Sequence, residues 1–291
     1  MPPIVLALVA VAAVLHAAWN VLLKTSGDPL LTGGRAMLAG TAAAAPLAVV
    51  AWFATGQPSI PPEALALGLL SGCIEVVYMV ALAGAYRRGG LSVVYPIARG
   101  TAPLLTVTAG VVILGERLGV AGTIGVAALL VGIIAAQQPW RVLRGARARE
   151  AAVPWALATG AIIATYSTVD RVGARLVAPW LFACILFPVM ALGLAAFIRL
   201  RGTRGVVAAA PSWGRATVAG LLAIGAYVLI LMAFSIAPLS VVSPLRESAI
   251  VLVSGWGALR LGEANGGRDA AFRLGAAILV AAGALLLGLQ G

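Results

Sequence analysis

Charged side chains make up only 10% of this 291-residue chain, whereas a soluble globular domain carries about a quarter. So few ionic groups cannot cover a domain of this length in water, which excludes an ordinary soluble fold. Acidic groups are scarcer than basic ones, nine against twenty. No Walker A sequence occurs, so ATP-driven transport would need a separate subunit. No RNA- or DNA-binding motif accompanies the formal net charge of +11. The short alternating segments of a membrane β-barrel are missing too. Histidine occurs once, as His16, and cysteine twice, as Cys73 and Cys184. Both cysteines fall inside apolar stretches and read as packing residues, not as a disulfide or metal ligands. Neither a metal nor another cofactor is expected. The start, Met1 to Ala18, lacks a basic n-region and reads as a retained first span, not a cleaved signal.

Hydrophobic residues fill 62% of the chain, and the mean hydropathy is +1.06. They gather into ten runs: Ile4–Leu23, Thr32–Ala54, Glu63–Tyr86, Leu91–Leu114, Val120–Ala136, Val153–Thr168, Trp180–Ile198, Trp213–Ile236, Leu239–Leu259 and Ala271–Leu289. A bilayer core is crossed by about 17–25 residues of helix. Backbone polar groups in lipid must be satisfied internally, so each run reads as a helix. The expected fold is an all-α integral membrane protein with ten transmembrane helices. The long polar connection, Gln137 to Ala152, carries Arg141, Arg144, Arg147 and Arg149. It divides the chain into a first half at 1–140, a basic cytoplasmic linker at 141–152 and a second half at 153–291.

The halves are related. Leu91-Ser92-Val93-Val94-Tyr95-Pro96 recurs as Leu239-Ser240-Val241-Val242-Ser243-Pro244, and Leu114-Gly115-Glu116 recurs as Leu261-Gly262-Glu263, at offsets of 148 and 147. Five spans per half is an odd number, so the second repeat must cross the membrane in the opposite sense. That is the inverted-repeat plan of secondary transporters, with binding near the midplane. Under this plan fifteen of the basic residues fall on one side and only Arg117, Arg171 and Arg175 on the other. The positive-inside rule makes the fifteen cytoplasmic, so both termini are expected in the periplasm, with the protein in a bacterial inner membrane.

Ionisable groups at membrane depth are costly and mark pathways or sites. Glu75, Arg99, Arg246 and Glu247 stand inside spans, and Arg99 and Glu247 each lie three residues after the repeated proline. Their repeat-equivalent positions predict that Arg99 and Glu247 approach one another, with Glu75 and Arg246 nearby. They read either as an interhelical ion pair or as the poles of a site for a zwitterion. Further polar faces follow from helical spacing: His16, Trp19 and Asn20 on the first span, Glu75 and Tyr78 on the third, Tyr95 and Arg99 on the fourth, Tyr166 and Asp170 on the sixth, Ser243 and Glu247 on the ninth. These faces are expected either to converge on a wet cavity or to serve as polar glue between helices. Tyr227 is expected as a further aromatic wall. Glu75 is the better candidate for a proton carrier, His16 the weaker. Glu116 and Glu263 read as structural carboxylates at helix ends.

On these residues the chain resembles the EamA-type transporters of the drug/metabolite transporter superfamily: His16-Ala17-Ala18-Trp19-Asn20 with Lys24, the Pro96 segment ending in Leu114-Gly115-Glu116, and their counterparts around Pro244 and Glu263. The resemblance covers the whole chain. It implies a basket-like bundle with a central cavity lined by the first, third, fourth, sixth, eighth and ninth spans, and export of metabolites, including amino acids in the YddG-like members. Ten-helix members are often drawn with cytoplasmic termini, which the arginine distribution here opposes. The expected function is alternating-access export of small polar metabolites, neutral and aromatic amino acids foremost. The alternative is efflux of lipophilic cations driven by a buried carboxylate. An intramembrane enzyme would need a paired catalytic constellation, and the chain is expected not to be an enzyme. The expected partners are a small-molecule substrate and the lipid bilayer, without nucleic acid, and a monomer is the simplest assembly.

Overall fold

The computed structural model describes residues 2–24, 28–89, 91–138, 152–201, 211–247 and 267–288. Among these residues there is no strand, and ten helices follow in order. They are α1 (Pro3–Lys24), α2 (Pro29–Ala54), α3 (Pro62–Arg88), α4 (Leu91–Val112), α5 (Val120–Gln137), α6 (Ala152–Leu176), α7 (Pro179–Arg201), α8 (Trp213–Ile236), α9 (239–247 of the described residues) and α10 (Gly267–Gly288). Five of them, α2, α3, α6, α7 and α8, are long and apolar enough to cross a membrane. Shorter apolar stretches lie in α1, α5 and α10.

Proline opens α1, α2, α3 and α7. At a first helical position its fixed φ suits the helix and its missing N–H costs nothing. Asp28 caps α2, its Oδ1 accepting from the amides of Leu30 at 2.9 Å and Leu31 at 3.0 Å. Within α4, Pro96 and Pro103 break the hydrogen-bond ladder. Thr101 and Thr106 lie beside them and donate back to the carbonyls of Ile97 (2.7 Å) and Ala102 (3.0 Å).

Two expectations need correction. Hydropathy ends the sixth span at Thr168, but α6 continues to Leu176 and carries Asp170, Arg171 and Arg175 within it. Two of these are satisfied inside the fold: Arg171 Nη1 donates to the carbonyl of Phe234, and Asp170 accepts hydroxyl hydrogen bonds. The cysteines are also misplaced by the sequence reading. Cys73 and Cys184 are unbridged and exposed, not packed, because an all-apolar helix does not show in its sequence which face turns inward. The Leu261-Gly262-Glu263 motif lies outside the described residues.

The chain forms two compact units. The first comprises residues 1–10, 84–168 and 237–291 and the second residues 11–83 and 169–236, so each draws on both halves of the chain. In the first unit α5 packs along α10 and against α4, with Leu129, Ile133 and Val280 fully buried. Arg88 stacks over the Trp155 ring, 4.2 Å from its centroid. The indole lies so close to Gly84 that a Cβ there would sit 2.8 Å from ring carbons. In the second unit α2 packs on α7 and α8 around Phe182, Leu186 and Phe234. The α2–α8 crossing is a backbone-to-backbone approach, since a Cβ on Gly40 would fall 2.7 Å from the Gly220 Cα. Small residues permit such contact, which is how helices gain packing energy in lipid. The polarity of the chain is inverted relative to a soluble domain: Leu47, Val120 and Leu200 are 72%, 80% and 89% exposed, while Asp170, Ser240 and Glu247 are 0–2% exposed.

Candidate functional site

The first unit brings an arginine of α4 to a carboxylate of α9. Arg99 Nη1 donates to both oxygens of Glu247, at 2.7 and 2.8 Å, and the Glu247 side chain is only 1% exposed. Arg246, one residue earlier, adds its Nε to Glu247 Oε1 at 3.2 Å. A guanidinium has donors and no acceptor, so both arginines complement the ionised carboxylate and neither can receive a hydrogen bond from the acid form. One turn before Glu247, Ser243 is fully buried and its hydroxyl is hydrogen-bonded to that of Thr106 on α4, 2.7 Å away. The two helices that carry the repeated Leu-Ser-Val-Val motif are thus joined by an ion pair and a hydroxyl pair.

The same helices are tied at a third level. Glu116 follows Gly115, whose φ of +65° suits glycine. Its carboxylate accepts from the amides of Leu239 (2.7 Å) and Ser240 (2.9 Å) and from the Ser240 hydroxyl (2.7 Å). This is an N-cap for α9 supplied from another segment of the chain, and it satisfies amides that have no partner within the helix. The structural role expected of Glu116 is what the fold gives it.

The second unit contains a different carboxylate. Asp170 on α6 is fully buried. Ser71 of α3 donates to its Oδ1 at 2.5 Å, and the hydroxyl of Tyr227 on α8 donates to its Oδ2. The Tyr227 ring meets Phe187 edge-on, with centroids 5.6 Å apart and planes at 78°. Tyr227 is therefore engaged through its hydroxyl as well as its face. Glu75, one turn after Ser71 on α3, is buried at 4% exposure.

The residues singled out in the sequence divide between the units. Arg99, Tyr166, Ser243, Arg246 and Glu247 belong to the first, with Tyr166 buried on α6. His16, Trp19, Glu75, Tyr78 and Tyr227 belong to the second, with Trp19 buried and His16, Tyr78 and Tyr227 half-buried. Asn20 and Tyr95 lie on α1 and α4, but their side chains fall outside the described residues. The approach of Arg99 to Glu247 expected from the repeat is present. Sequence reasoning missed Ser71 and Thr106. The available signal was spacing: Ser71 precedes Glu75 by four residues, and Thr106 falls seven after Arg99.

No protein-family profile matches the sequence, and no curated protein matches it. Among solved structures, one crystal structure aligns with 98% of this chain and 99% of its own length, at a TM-score of 0.71 and 19% identity. At that identity the likeness is one of fold.

Proposed function

We propose that this protein is a secondary transporter that exports small polar metabolites, most of all neutral and aromatic amino acids, by alternating access. In this reading the helices make ten crossings of a bacterial inner membrane as two inverted five-helix repeats, with both termini in the periplasm. The observation that carries it is the buried Arg99–Glu247–Arg246 cluster. Charges at membrane depth are retained where they serve a pathway, and adjacent cationic and anionic poles are what a zwitterion needs. The exposed apolar helix faces and buried polar ones support a lipid-embedded chain. The fully buried Asp170 favours a second reading, efflux of lipophilic cations, which two arginines in the cluster oppose.

The test is exchange in proteoliposomes loaded with labelled methionine, threonine or phenylalanine. Unlabelled amino acids are expected to accelerate exchange, and their methyl esters to compete far less well, having lost the carboxylate that an arginine binds. Equal competition by esters and acids would reject the two-pole site. Flux of lipophilic cations without amino-acid flux would establish the second reading instead.

A further inference from the structure

Two of the groups that meet Asp170 differ in kind from the arginines at Glu247. Its two oxygens are met by hydroxyls, Ser71 Oγ at 2.5 Å and the phenol of Tyr227. A hydroxyl both donates and accepts, so it can serve a carboxylate and a carboxylic acid in the same place. The helix around Ser71 supplies the other half of the exchange. A Ser or Thr hydroxyl in a helix can turn to donate to the carbonyl four residues earlier. Thr101, Thr159 and Thr168 do so here, to Ile97, Trp155 and Ala164, each at 2.7 Å. For Ser71 the corresponding acceptor is the carbonyl of Leu67.

We infer that Asp170 is a proton-binding site that loads and unloads one proton during the protein's working cycle. In the ionised state Ser71 and Tyr227 both donate to the carboxylate. On loading, a proton from water forms an O–H bond at Oδ1, and the Ser71 hydroxyl turns to donate to Leu67. Asp170 Oδ1–H then donates to Ser71 Oγ, while Tyr227 goes on donating to Oδ2. Release returns the proton to water and reverses the turn. Neither the Ser71 nor the Tyr227 hydrogen bond to Asp170 is lost in either direction. The switching element is one serine rotamer. The titratable and charged groups that α3, α6 and α8 bring to this unit besides Asp170 are Glu63, Cys73, Glu75 and Tyr78, Arg171 and Arg175, and Tyr227 and Arg215, with His16 on α1. Glu75 is the natural competitor for the proton, so the experiment must separate the two.

Coupling of this proton to solute movement rests on the transporter reading; the proton site itself does not. Infrared difference spectra of the purified protein, recorded between neutral and acid pH, test the site directly. A protonated-carboxyl C=O band is expected in the wild type, lost in Asp170→Asn and kept in Glu75→Gln. In Ser71→Ala, which removes the acceptor of the acid proton, the band is expected to move to higher frequency. A band that survives Asp170→Asn, or that is unmoved in Ser71→Ala, overturns the assignment. Proteoliposomes supply the second arm. Asp170→Asn is expected to keep amino-acid exchange at equal pH and to lose accumulation driven by a pH gradient. Accumulation that persists in that variant also overturns the inference. A band that behaves as expected, in a protein that moves no solute of any kind, upholds the proton site and sinks the transporter reading alone.

Discussion

One nitrogen of Arg99 reaches both oxygens of Glu247, and the two residues stand 148 positions apart in the chain, at the same distance beyond equivalent prolines. Removing one member leaves a buried charge uncompensated, at a cost of about 3–5 kcal/mol. Arg99→Ala and Glu247→Ala are each expected to lower thermal stability in detergent substantially. Arg99→Ala combined with Glu247→Ala should cost clearly less than the two losses summed, the sign of a coupled pair. Additive losses in the double-mutant cycle would show the pair to be energetically independent.

Glu116 makes a second prediction. It accepts three hydrogen bonds at the start of α9, and loss of an N-cap typically costs about 0.5–2 kcal/mol. Glu116→Ala is expected to lower the melting temperature, with Glu116→Gln intermediate because one acceptor oxygen remains. The outcome that counts against the cap is an unchanged melting curve in Glu116→Ala.

The α2–α8 crossing makes a third. A Cβ on Gly220 would collide with the backbone of Ala36, so Gly220→Ala must push the helices apart, at about 1–3 kcal/mol. Gly275 on α10 has open space around its Cβ position. There the substitution to alanine should be neutral or mildly stabilising, since glycine costs a helix interior about 1 kcal/mol. Equal effects at the two positions would mean that the crossing is looser than described.

The arginine distribution makes a fourth. Alkaline phosphatase fused after Gly291 is expected to be active and a fluorescent protein at the same point dark, because fifteen basic residues against three favour periplasmic termini. Fluorescence without phosphatase activity would reverse the orientation.

Much of this was legible in the residues. Long apolar runs gave the helices, because nothing else in the chain competes with hydropathy. The repeated Pro96 and Pro244 segments pointed to the meeting of Arg99 with Glu247, since equivalent positions in repeats have equivalent surroundings. The end of α6 was not legible: Asp170, Arg171 and Arg175 look like a connection until the partners that satisfy the first two are seen. The sequence offers Tyr227 as an aromatic ring, and only the fold shows its hydroxyl on Asp170. Partners contributed by distant helices leave no periodic trace.

The stack of Arg88 on Trp155 gives the protein an optical reporter of its own. The indole packs against one turn of α3, on a guanidinium 4.2 Å from its centroid and the bare backbone of Gly84, and a cation over the ring face perturbs the excited state. Arg88→Gln should change the emission of that single tryptophan while leaving the Glu247 cluster and Asp170 untouched. Subtracting a Trp155→Phe spectrum isolates the signal from the other six indoles. The end of α3 can then be followed in real time by fluorescence, without attaching a dye.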